Sequence, residues 1–285
     1  MPEGMPGETD AVPSAQELAS LYFADSDLYG HTFFPSIIDM KSPPFHRDMD
    51  EILDNPRYRH VALEVFRGGA KTTKLRVFTS KRIAYGVSRT ILYVSSSQAR
   101  AVDSIRWIKQ QVEYNKKWAR LFGLTKGDKW TDQFIEIKPA LLGVPIAVLA
   151  IGITANIRGV NIGGRRPDLI VGDDVDNEET TATLEQREKG DDLFFGALEQ
   201  SLTPSSENPD AKMVFLQTSL HMDDKINMCH RDSTWETRKY SVFDERGESA
   251  WPERWTTGEL KKEKQGFLDR GQIRIWLREK ECTVS

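Results

Sequence analysis

The segment His60–Leu75 places an apolar strand directly before a glycine pair and a Lys-Thr pair. The usual phosphate-binding loop has the pattern G-x-x-x-x-G-K-[ST], and here Val65 and Ala70 stand where its two glycines belong. Lys71 and Thr72 occupy the positions that the pattern requires. Because the residues that follow have helical character, the loop lies between a strand and a helix, which is the context that a phosphate-binding loop needs.

The loop residues carry the groups that bind a nucleoside triphosphate. Two adjacent glycines leave the backbone free to turn its N–H groups toward phosphate oxygens, and Ala70 is small enough for close approach. The Lys71 ammonium suits the β and γ phosphates, and the Thr72 hydroxyl suits Mg²⁺. A turn that happens to contain a Lys-Thr pair is the alternative interpretation. The candidate nucleotide contacts are Gly68, Gly69, Ala70, Lys71, Thr72 and Thr73.

A second apolar strand, from Asp168 to Val171, is followed by Gly172 and two aspartates. Phosphoryl chemistry with Mg²⁺ needs a carboxylate at the C-terminal end of a strand that neighbours the loop strand. We therefore expect Asp173 to hold Mg²⁺ through water and Asp174 to orient and activate the attacking water. The alternative is a strand that simply ends in an acidic turn.

A third strand, Met213–Gln217, ends in Thr218 and Ser219. Hydroxyl groups at this place can contact the γ phosphate or the attacking water and report the loss of the phosphate. Taken alone the pair is ordinary, since Thr and Ser are common at strand ends. In order after the loop and the aspartates, it fits a nucleotide-driven motor.

Strands alternate with helical segments along the chain, which predicts an α/β fold with a mainly parallel central sheet and crossover helices. We expect a mobile tail over residues 1–20, a P-loop domain over 21–245 and a small linker or lid subdomain over 246–285. Pro44 is expected to begin a short helix and Gln98–Asn115 to form a long amphipathic one. The expected strands are His60–Phe66, Thr90–Ser95, Phe134–Ile137, Ile146–Ile153, Asp168–Val171, Met213–Gln217 and Glu236–Phe243.

Composition narrows the class of protein. Two cysteines cannot build a disulfide framework, and Cys229-His230 lacks a second pair at zinc-ligand spacing. No apolar run reaches the ~18 residues of a membrane span, and the N-terminus lacks the parts of a secretion signal. We therefore expect a soluble intracellular protein. Its net charge of −4 predicts at most local or brief contact with nucleic acid.

The motifs in combination resemble those of one family. Residues 67–72 match an Arg-Gly-x-Ala/Gly-Lys-Ser/Thr loop, which bacteriophage large terminases often carry in place of the full pattern. An Arg-Gly pair at Arg158-Gly159, an Arg-Pro-Asp segment at 166–168 and the acidic strand end then follow in that family's order. Over roughly residues 40–280 the chain is similar to the ATPase half of a large terminase, the DNA-packaging motor.

Three further segments carry the resemblance. Residues 217–224 are similar to the family's coupling motif, with Gln217 in place of the usual Gly, which assigns the coupling role to Thr218 and Ser219. The segment PPFHRDM resembles the part that packs against adenine, with Phe45 and His46 as contacts. A core residue and a surface cap, respectively, are the alternatives. Residues 251–254 resemble the start of the linker toward the nuclease.

The resemblance implies a P-loop NTPase of the additional-strand (ASCE) type that hydrolyses ATP with Mg²⁺. It further implies translocation of double-stranded DNA into a procapsid, in the cytoplasm of the host cell and without a membrane. The partners would be the portal protein, the small terminase subunit and further copies of the chain in a ring. We expect no nuclease activity, because the carboxylate cluster of the family's nuclease domain would lie beyond Ser285.

Two arginines are candidates for stabilising charge at the γ phosphate. Arg67, inside the loop, could act in cis, and Arg100, after the second strand, in trans from a neighbouring subunit. Either could instead be a surface charge. Candidate DNA contacts, for which a solvated helix face is the bland alternative, are Arg106, Lys109, Lys116, Lys117, Arg120 and the Arg165-Arg166 pair.

Two other functions remain open. A helicase-like DNA translocase would need ordered helicase motifs in the second half of the chain, which the sequence does not show. A nucleotide-binding scaffold without turnover would be free to lose its catalytic residues. The complete set Lys71, Thr72, Asp173 and Asp174 argues against such a scaffold.

Overall fold

A computed structural model of the chain describes residues 14–155 and 162–283. Strands and helices alternate over most of this length, as expected. The strands are β1 (His60–Val65), β2 (Thr90–Ser95), β3 (Leu124–Trp130), β4 (Phe134–Pro139), β5 (Ile146–Gly152), β6 (Leu169–Asp173), β7 (Lys212–Gln217) and β8 (Glu236–Tyr240). The helices are α1 (Ala15–Ala24), α2 (Ser26–Phe33), α3 (Pro44–Asp54), α4 (Lys71–Ala84), α5 (Gln98–Tyr114), α6 (Lys116–Leu121), α7 (Glu178–Thr181), α8 (Leu184–Leu193), α9 (Glu199–Ser201), α10 (Lys225–Arg231), α11 (Thr257–Asp269) and α12 (Ile273–Glu281).

The strands form one mixed sheet in the order β3-β4-β5-β2-β6-β7-β1-β8. All pairings from β5 to β8 are parallel, and only β3–β4 and β4–β5 are antiparallel within the described ranges. The predicted mainly parallel α/β fold is therefore confirmed. Strand β7 lies between β1 and β6, so the strand before the phosphate loop and the strand before the aspartates are separated by one additional strand.

The central strands are apolar throughout because helices cover both faces of the sheet. In β2, Ile91 and Tyr93 point into one core cluster, whereas Leu92 and Val94 point into the other. This period of two distributes each strand between the two layers. Strand β3 was not expected from the sequence: it lies at the sheet edge and most of its residues are exposed or half-buried, so it lacks an apolar signal.

Helical structure begins inside the segment expected to be a mobile tail. Helix α1 starts after Ser14, which forms a capping box with Glu17, and the Tyr85 hydroxyl donates to the Ala19 carbonyl at 2.6 Å. Residues 15–20 are therefore ordered against α4, and residues 1–13 lie outside the described part. In the ranges that the structure describes, none of the helices has the length and apolar character to cross a bilayer.

The C-terminal helices α11 and α12 pack beside the phosphate loop. The Val242 backbone N–H donates to the Lys280 carbonyl at 2.8 Å, and the Trp276 side chain is buried. The Arg67 backbone N–H donates to the Glu279 carbonyl at 2.6 Å. The segment expected to form a linker or lid therefore touches the loop directly.

Candidate nucleotide site

The loop between β1 and α4 adopts the backbone conformation that a glycine-rich anion site needs. Gly68 has φ = 94° and Ala70 has φ = 66°, both in the left-handed region. For a residue with a Cβ this region costs roughly 1–2 kcal/mol, which explains why glycine is usual at the position of Ala70. Gly69 has no room for a side chain, because a Cβ there would lie 2.5 Å from Cγ1 of Val65.

The Lys71 ammonium lies where the three predicted segments meet. Its Nζ donates to Thr218 Oγ1 at 2.6 Å and is 3.7 Å from Asp174 Oδ1. Thr218 in turn donates to the Val65 carbonyl at 2.8 Å. Because β1, β7 and β6 are adjacent and parallel, their carboxyl ends share one edge of the sheet. The loop, the aspartates and the first coupling residue are therefore brought together as the sequence predicts.

Thr72 and Asp173 form a second contact at this edge. The Thr72 hydroxyl donates to Asp173 Oδ1 at 3.1 Å, and the Tyr93 hydroxyl donates to Asp173 Oδ2 at 3.3 Å. Burial raises the pKa of Asp173 to about 6, and the charge of Asp174 acts in the same direction. A cation beside this carboxylate would favour its ionised form. Tyr93 is a partner that sequence reasoning missed, since it lies within an ordinary apolar strand.

These two side chains suit Mg²⁺. Mg²⁺ prefers oxygen ligands and usually keeps waters and substrate phosphates beside one or two carboxylates. Across the described part of the chain, no three His, Cys, Asp or Glu side chains cluster as metal ligands. A Mg²⁺ ion here would therefore be held by the Thr72 hydroxyl, the Asp173 carboxylate and the phosphates, rather than by an all-protein cage.

Asp174 has a left-handed backbone, with φ = 45°. Its N–H donates to the Leu216 carbonyl at 3.0 Å and its carbonyl accepts from the Ser96 N–H at 3.1 Å, so both neighbouring strands hold it in place. Its half-exposed carboxylate faces Lys71 and the Thr218 N–H, the latter at 3.4 Å. Strain held by the surrounding structure is typical of functional positions, and this carboxylate is open to a water.

Ser219, the second predicted coupling residue, points elsewhere. It is fully buried, donates to Asp224 Oδ2 at 3.1 Å and accepts from Asn227 Nδ2 at 2.7 Å. Asp224 also caps α10 through the Asn227 N–H. The structure therefore places Thr218 at the Lys71 ammonium, whereas Ser219 fixes the loop that leads to α10.

A buried ion pair supports the same edge from behind. Lys225 Nζ lies 2.5 Å from Asp176 Oδ1, and the two side chains are 2% and 0% exposed. The Gln217 amide donates to Asp176 Oδ2 at 3.1 Å. Sequence reasoning assigned no structural role to these three residues, because their pairing joins separate segments.

The two candidate arginines lie at different places. Arg67 projects into solvent and its Nη1 lies 3.3 Å from Glu279 Oε2 on α12. Arg100 is exposed in the first turn of α5, at the same sheet edge as Asp174. Arg158 and Gly159, which carry part of the family resemblance, lie outside the described residues.

A cavity of about 230 Å³ opens beside the first turn of α4. His46 lies on its wall and its Nε2 is 3.1 Å from the Gly69 carbonyl. Burial lowers the pKa of His46 to about 3, with the charge of Lys74 as the next cause, so the neutral ring donates this bond. The side chains on its wall are Ile37, Ile38, Asp39, Met40, Ser42, His46, Ala70, Thr73, Lys74, Trp251 and Arg254.

Phe45, the other predicted adenine contact, lies behind this wall. Its ring packs against Phe66, Tyr240 and Trp251, with centroid distances of 5.5, 5.7 and 6.2 Å. This position agrees with the alternative interpretation of Phe45 as a core residue. Sequence reasoning missed the contributions of Trp251 and Arg254, which reach the cavity from a segment about 180 residues farther along the chain.

A larger cavity, of about 880 Å³, lies at the opposite edge of the sheet. It is polar and includes Arg89, Thr90 and Asp168 at the amino ends of β2 and β6. The predicted DNA contacts Arg165 and Arg166 also line it. Of the other DNA candidates, Arg106 pairs with Asp103 at 2.6 Å. The Arg165-Arg166 pair therefore lies at the sheet edge away from Lys71.

Neither a protein-family model nor a curated protein matches the sequence. Among solved structures, the large terminase ATPase domain of Thermus phage P74-26 matches with a TM-score of 0.57, 12% identity and coverage of 88% of this chain and 97% of that one. A point mutant of that domain gives a TM-score of 0.59, 11% identity and coverage of 88% and 98%. The large terminase of another, thermophilic bacteriophage, with a TM-score of 0.48 and 9% identity over 79% of this chain and 50% of that one, is too distant to add to the argument. The described chain thus has the α/β P-loop fold of a phage large terminase ATPase domain.

Proposed function

We propose that this chain is a Mg²⁺-dependent ATPase that drives double-stranded DNA into a viral procapsid. The observation that carries the proposal is the convergence of Lys71, Thr218 and Asp174 at one sheet edge, beside the Thr72–Asp173 pair. The fold shared with large terminase ATPase domains supports the assignment to DNA packaging.

Each residue then has a distinct role in hydrolysis. Lys71 leaves its resting contact with Thr218 to bind the β and γ phosphate oxygens. Mg²⁺, held through Thr72 and Asp173, neutralises charge that develops on the phosphates. Asp174 accepts a hydrogen bond from the attacking water and takes its proton. Thr218 loses a partner whenever Lys71 moves, and it therefore reports the state of the phosphates to the loop that begins α10.

The remaining assignments extend this proposal. Arg67 could supply positive charge in cis after it leaves Glu279, and Arg100 could supply it in trans in a ring of identical subunits. The portal protein and the small terminase subunit would be the protein partners, in the host cytoplasm. Contact of the Arg165-Arg166 edge with DNA is compatible with a net charge of −4, because the basic residues are concentrated locally.

Nucleotide affinity and phosphate release test the proposal. Lys71→Ala should weaken Mg²⁺-ATP binding by about 10- to 150-fold, the effect of losing a charged hydrogen bond, and should abolish turnover. Lys138→Ala, which removes an exposed lysine beside Asp128 on the edge of the sheet, is the matched control and should change neither. ATP binding without turnover in the parent chain would favour a scaffold, and equal affinity in Lys71→Ala would contradict the assigned site.

A further inference from the structure

The segment Trp251–Trp255 closes one side of the cavity beside α4. Trp251 and Arg254 lie on the cavity wall. Trp255 packs on the phosphate loop itself, because a Cβ added to Gly68 would lie 2.9 Å from its Cη2 atom. The C-terminal subdomain thus reaches both the loop and the cavity through five consecutive residues.

Arg254 is held at the cavity by two aromatic rings. Its guanidinium carbon lies 5.0 Å from the Trp251 ring centroid and 4.6 Å from that of Trp255. Such cation–π contacts fix the plane of the guanidinium without using its N–H donors. In the described ranges, no carboxylate forms an ion pair with Arg254. Its donors therefore remain available to a ligand.

The second cation on the wall is already satisfied. Lys74 Nζ lies 2.5 Å from Asp50 Oδ2, and both side chains are largely buried. Lys74 therefore has little capacity left for a ligand. The contrast identifies Arg254, rather than Lys74, as the cation that a bound molecule would meet in this cavity.

The remaining wall suits a flat apolar group. Ile37, Ile38 and Met40 supply apolar surface. The Trp251 side chain is buried, with a relative exposure of 6%, and its Nε1 atom has no hydrogen-bond partner among the described residues. A buried N–H without a partner is unfavourable, so a small shift of this ring toward a ligand acceptor would be favourable.

The size of the cavity limits which part of a nucleotide it can hold. At about 230 Å³ it is smaller than the roughly 300–1,000 Å³ of sites for whole drug-sized ligands. It begins at Ala70 and Thr73, the end of the phosphate loop and the first turn of α4, and extends away from Lys71. Phosphates bound at Lys71 would therefore leave the base and ribose to enter this cavity.

We propose that Arg254, on its platform of Trp251 and Trp255, binds the base and ribose end of the nucleotide. This inference rests on the proposed function and adds a residue of the C-terminal subdomain to its site. The planar guanidinium stacks on the base and donates to ring nitrogens or ribose hydroxyls. The subdomain is then drawn onto the P-loop domain by the nucleoside, whereas Lys71 responds to the phosphates.

Equilibrium binding of ATP and of inorganic tripolyphosphate, each with Mg²⁺, tests this division of roles by calorimetry. Arg254→Gln should weaken ATP binding by about three- to thirtyfold, the range of a desolvated cation–π contact. Tripolyphosphate, which has no base, should bind Arg254→Gln as it binds the parent. Arg270→Gln is the matched control, because Arg270 also lies over an aromatic ring of this subdomain, at 4.8 Å from the Phe267 centroid, but not at the cavity.

The outcomes separate this inference from the proposed function. An equal loss of ATP and tripolyphosphate affinity in Arg254→Gln would place Arg254 on the phosphates and overturn the inference, while the ATPase proposal would stand. Unchanged ATP affinity would overturn it as well. If the parent chain bound neither ligand, the proposed function would fail, and the inference with it. Arg254 is exposed, so the variant is expected to fold, and circular dichroism checks this.

Discussion

Asp174 combines a left-handed backbone with a carboxylate that faces Lys71. Asp and Asn tolerate this conformation better than other residues with a Cβ, and the bonds to Leu216 and Ser96 hold the backbone independently of the side chain. An Asn at this position can therefore keep the fold while it loses the ability to accept a proton. This makes the substitution a test of chemistry rather than of stability.

Asp174→Asn should leave nucleotide affinity unchanged and lower kcat by about 10²–10⁴, the typical contribution of a general base. Asp173→Asn should weaken Mg²⁺-dependent binding as well as turnover, because it removes the charge that balances the ion. Fluorescence affinity measurements and phosphate release distinguish the two. Hydrolysis at the parent rate in Asp174→Asn would show that another group is the base. Asp176 would be a poor substitute, since its buried carboxylate is paired with Lys225.

His46 makes folding stability depend on pH. Its pKa in the folded chain is about 3, below the ordinary value of 6.5, chiefly because the ring is buried. Between these values the unfolded state binds a proton that the folded state does not, so stability is complete above pH 6.5 and falls as the pH decreases toward 3. At pH 5 this one group should cost about 2 kcal/mol relative to pH 8.

His46→Gln should remove that loss while keeping a donor for the Gly69 carbonyl. Urea denaturation at pH 8 and pH 5 measures it as the difference in the free energy of unfolding between the two pH values. His221→Gln is the control, because the His221 side chain is 37% exposed, and it should keep the pH dependence of the parent. An unchanged pH dependence in His46→Gln would mean that other groups cause the acid sensitivity.

At the scale of elements, the Asp176–Lys225 pair ties the turn after β6 to the start of α10. Removal of one member leaves a buried charge without a partner. Lys225→Met should therefore cost about 3–5 kcal/mol, and the double variant with Asp176→Asn should recover part of it. Chemical denaturation checks both. Loss of the exposed Lys138–Asp128 pair should cost less than about 1 kcal/mol, and a similar loss from Lys225→Met would contradict the structural role of the buried pair.

The elements that sequence analysis could predict are those with a strong local signal. Strands β1, β2, β6 and β7 are short apolar runs, and the carboxyl ends of neighbouring parallel strands share an edge. Lys71, Asp173, Asp174 and Thr218 could therefore be predicted to meet. Strand β3 could not be predicted, because an exposed edge strand has no alternating apolar pattern.

The cavity next to α4 lacked any such signal. Its wall combines residues near positions 37–46, 70–74 and 251–254, which only tertiary packing brings together. The same reason explains why Ser219, adjacent to Thr218 in sequence, faces Asp224 rather than Lys71. A hydroxyl at a strand end can turn to either side, and the capping of α10 decides which side it takes.

At the scale of the whole molecule, the site is open on the side where Arg100 lies exposed. An arginine near the γ phosphate accounts for about 10³–10⁵ in the rate of comparable enzymes. If Arg100 acts in trans, one copy alone lacks that contribution. We therefore expect a mostly monomeric chain with slow turnover in dilute solution, by light scattering and phosphate release. A stable ring with fast hydrolysis and no added partner would contradict this expectation.

Mixing two inactive variants tests whether copies of the chain complete one another's sites. Lys71→Ala disables its own phosphate site but still offers Arg100, whereas Arg100→Ala keeps the phosphate site and offers no arginine. At concentrations where turnover per parent chain rises with protein concentration, the mixture should hydrolyse ATP faster than the sum of the two separate variants. The double variant Lys71→Ala/Arg100→Ala controls for the added protein, and it should add nothing to Arg100→Ala. Turnover equal to the sum would assign Arg100 to the surface and leave Arg67 as the candidate, because Arg67 lies in the loop of its own chain and no neighbour is needed to supply it.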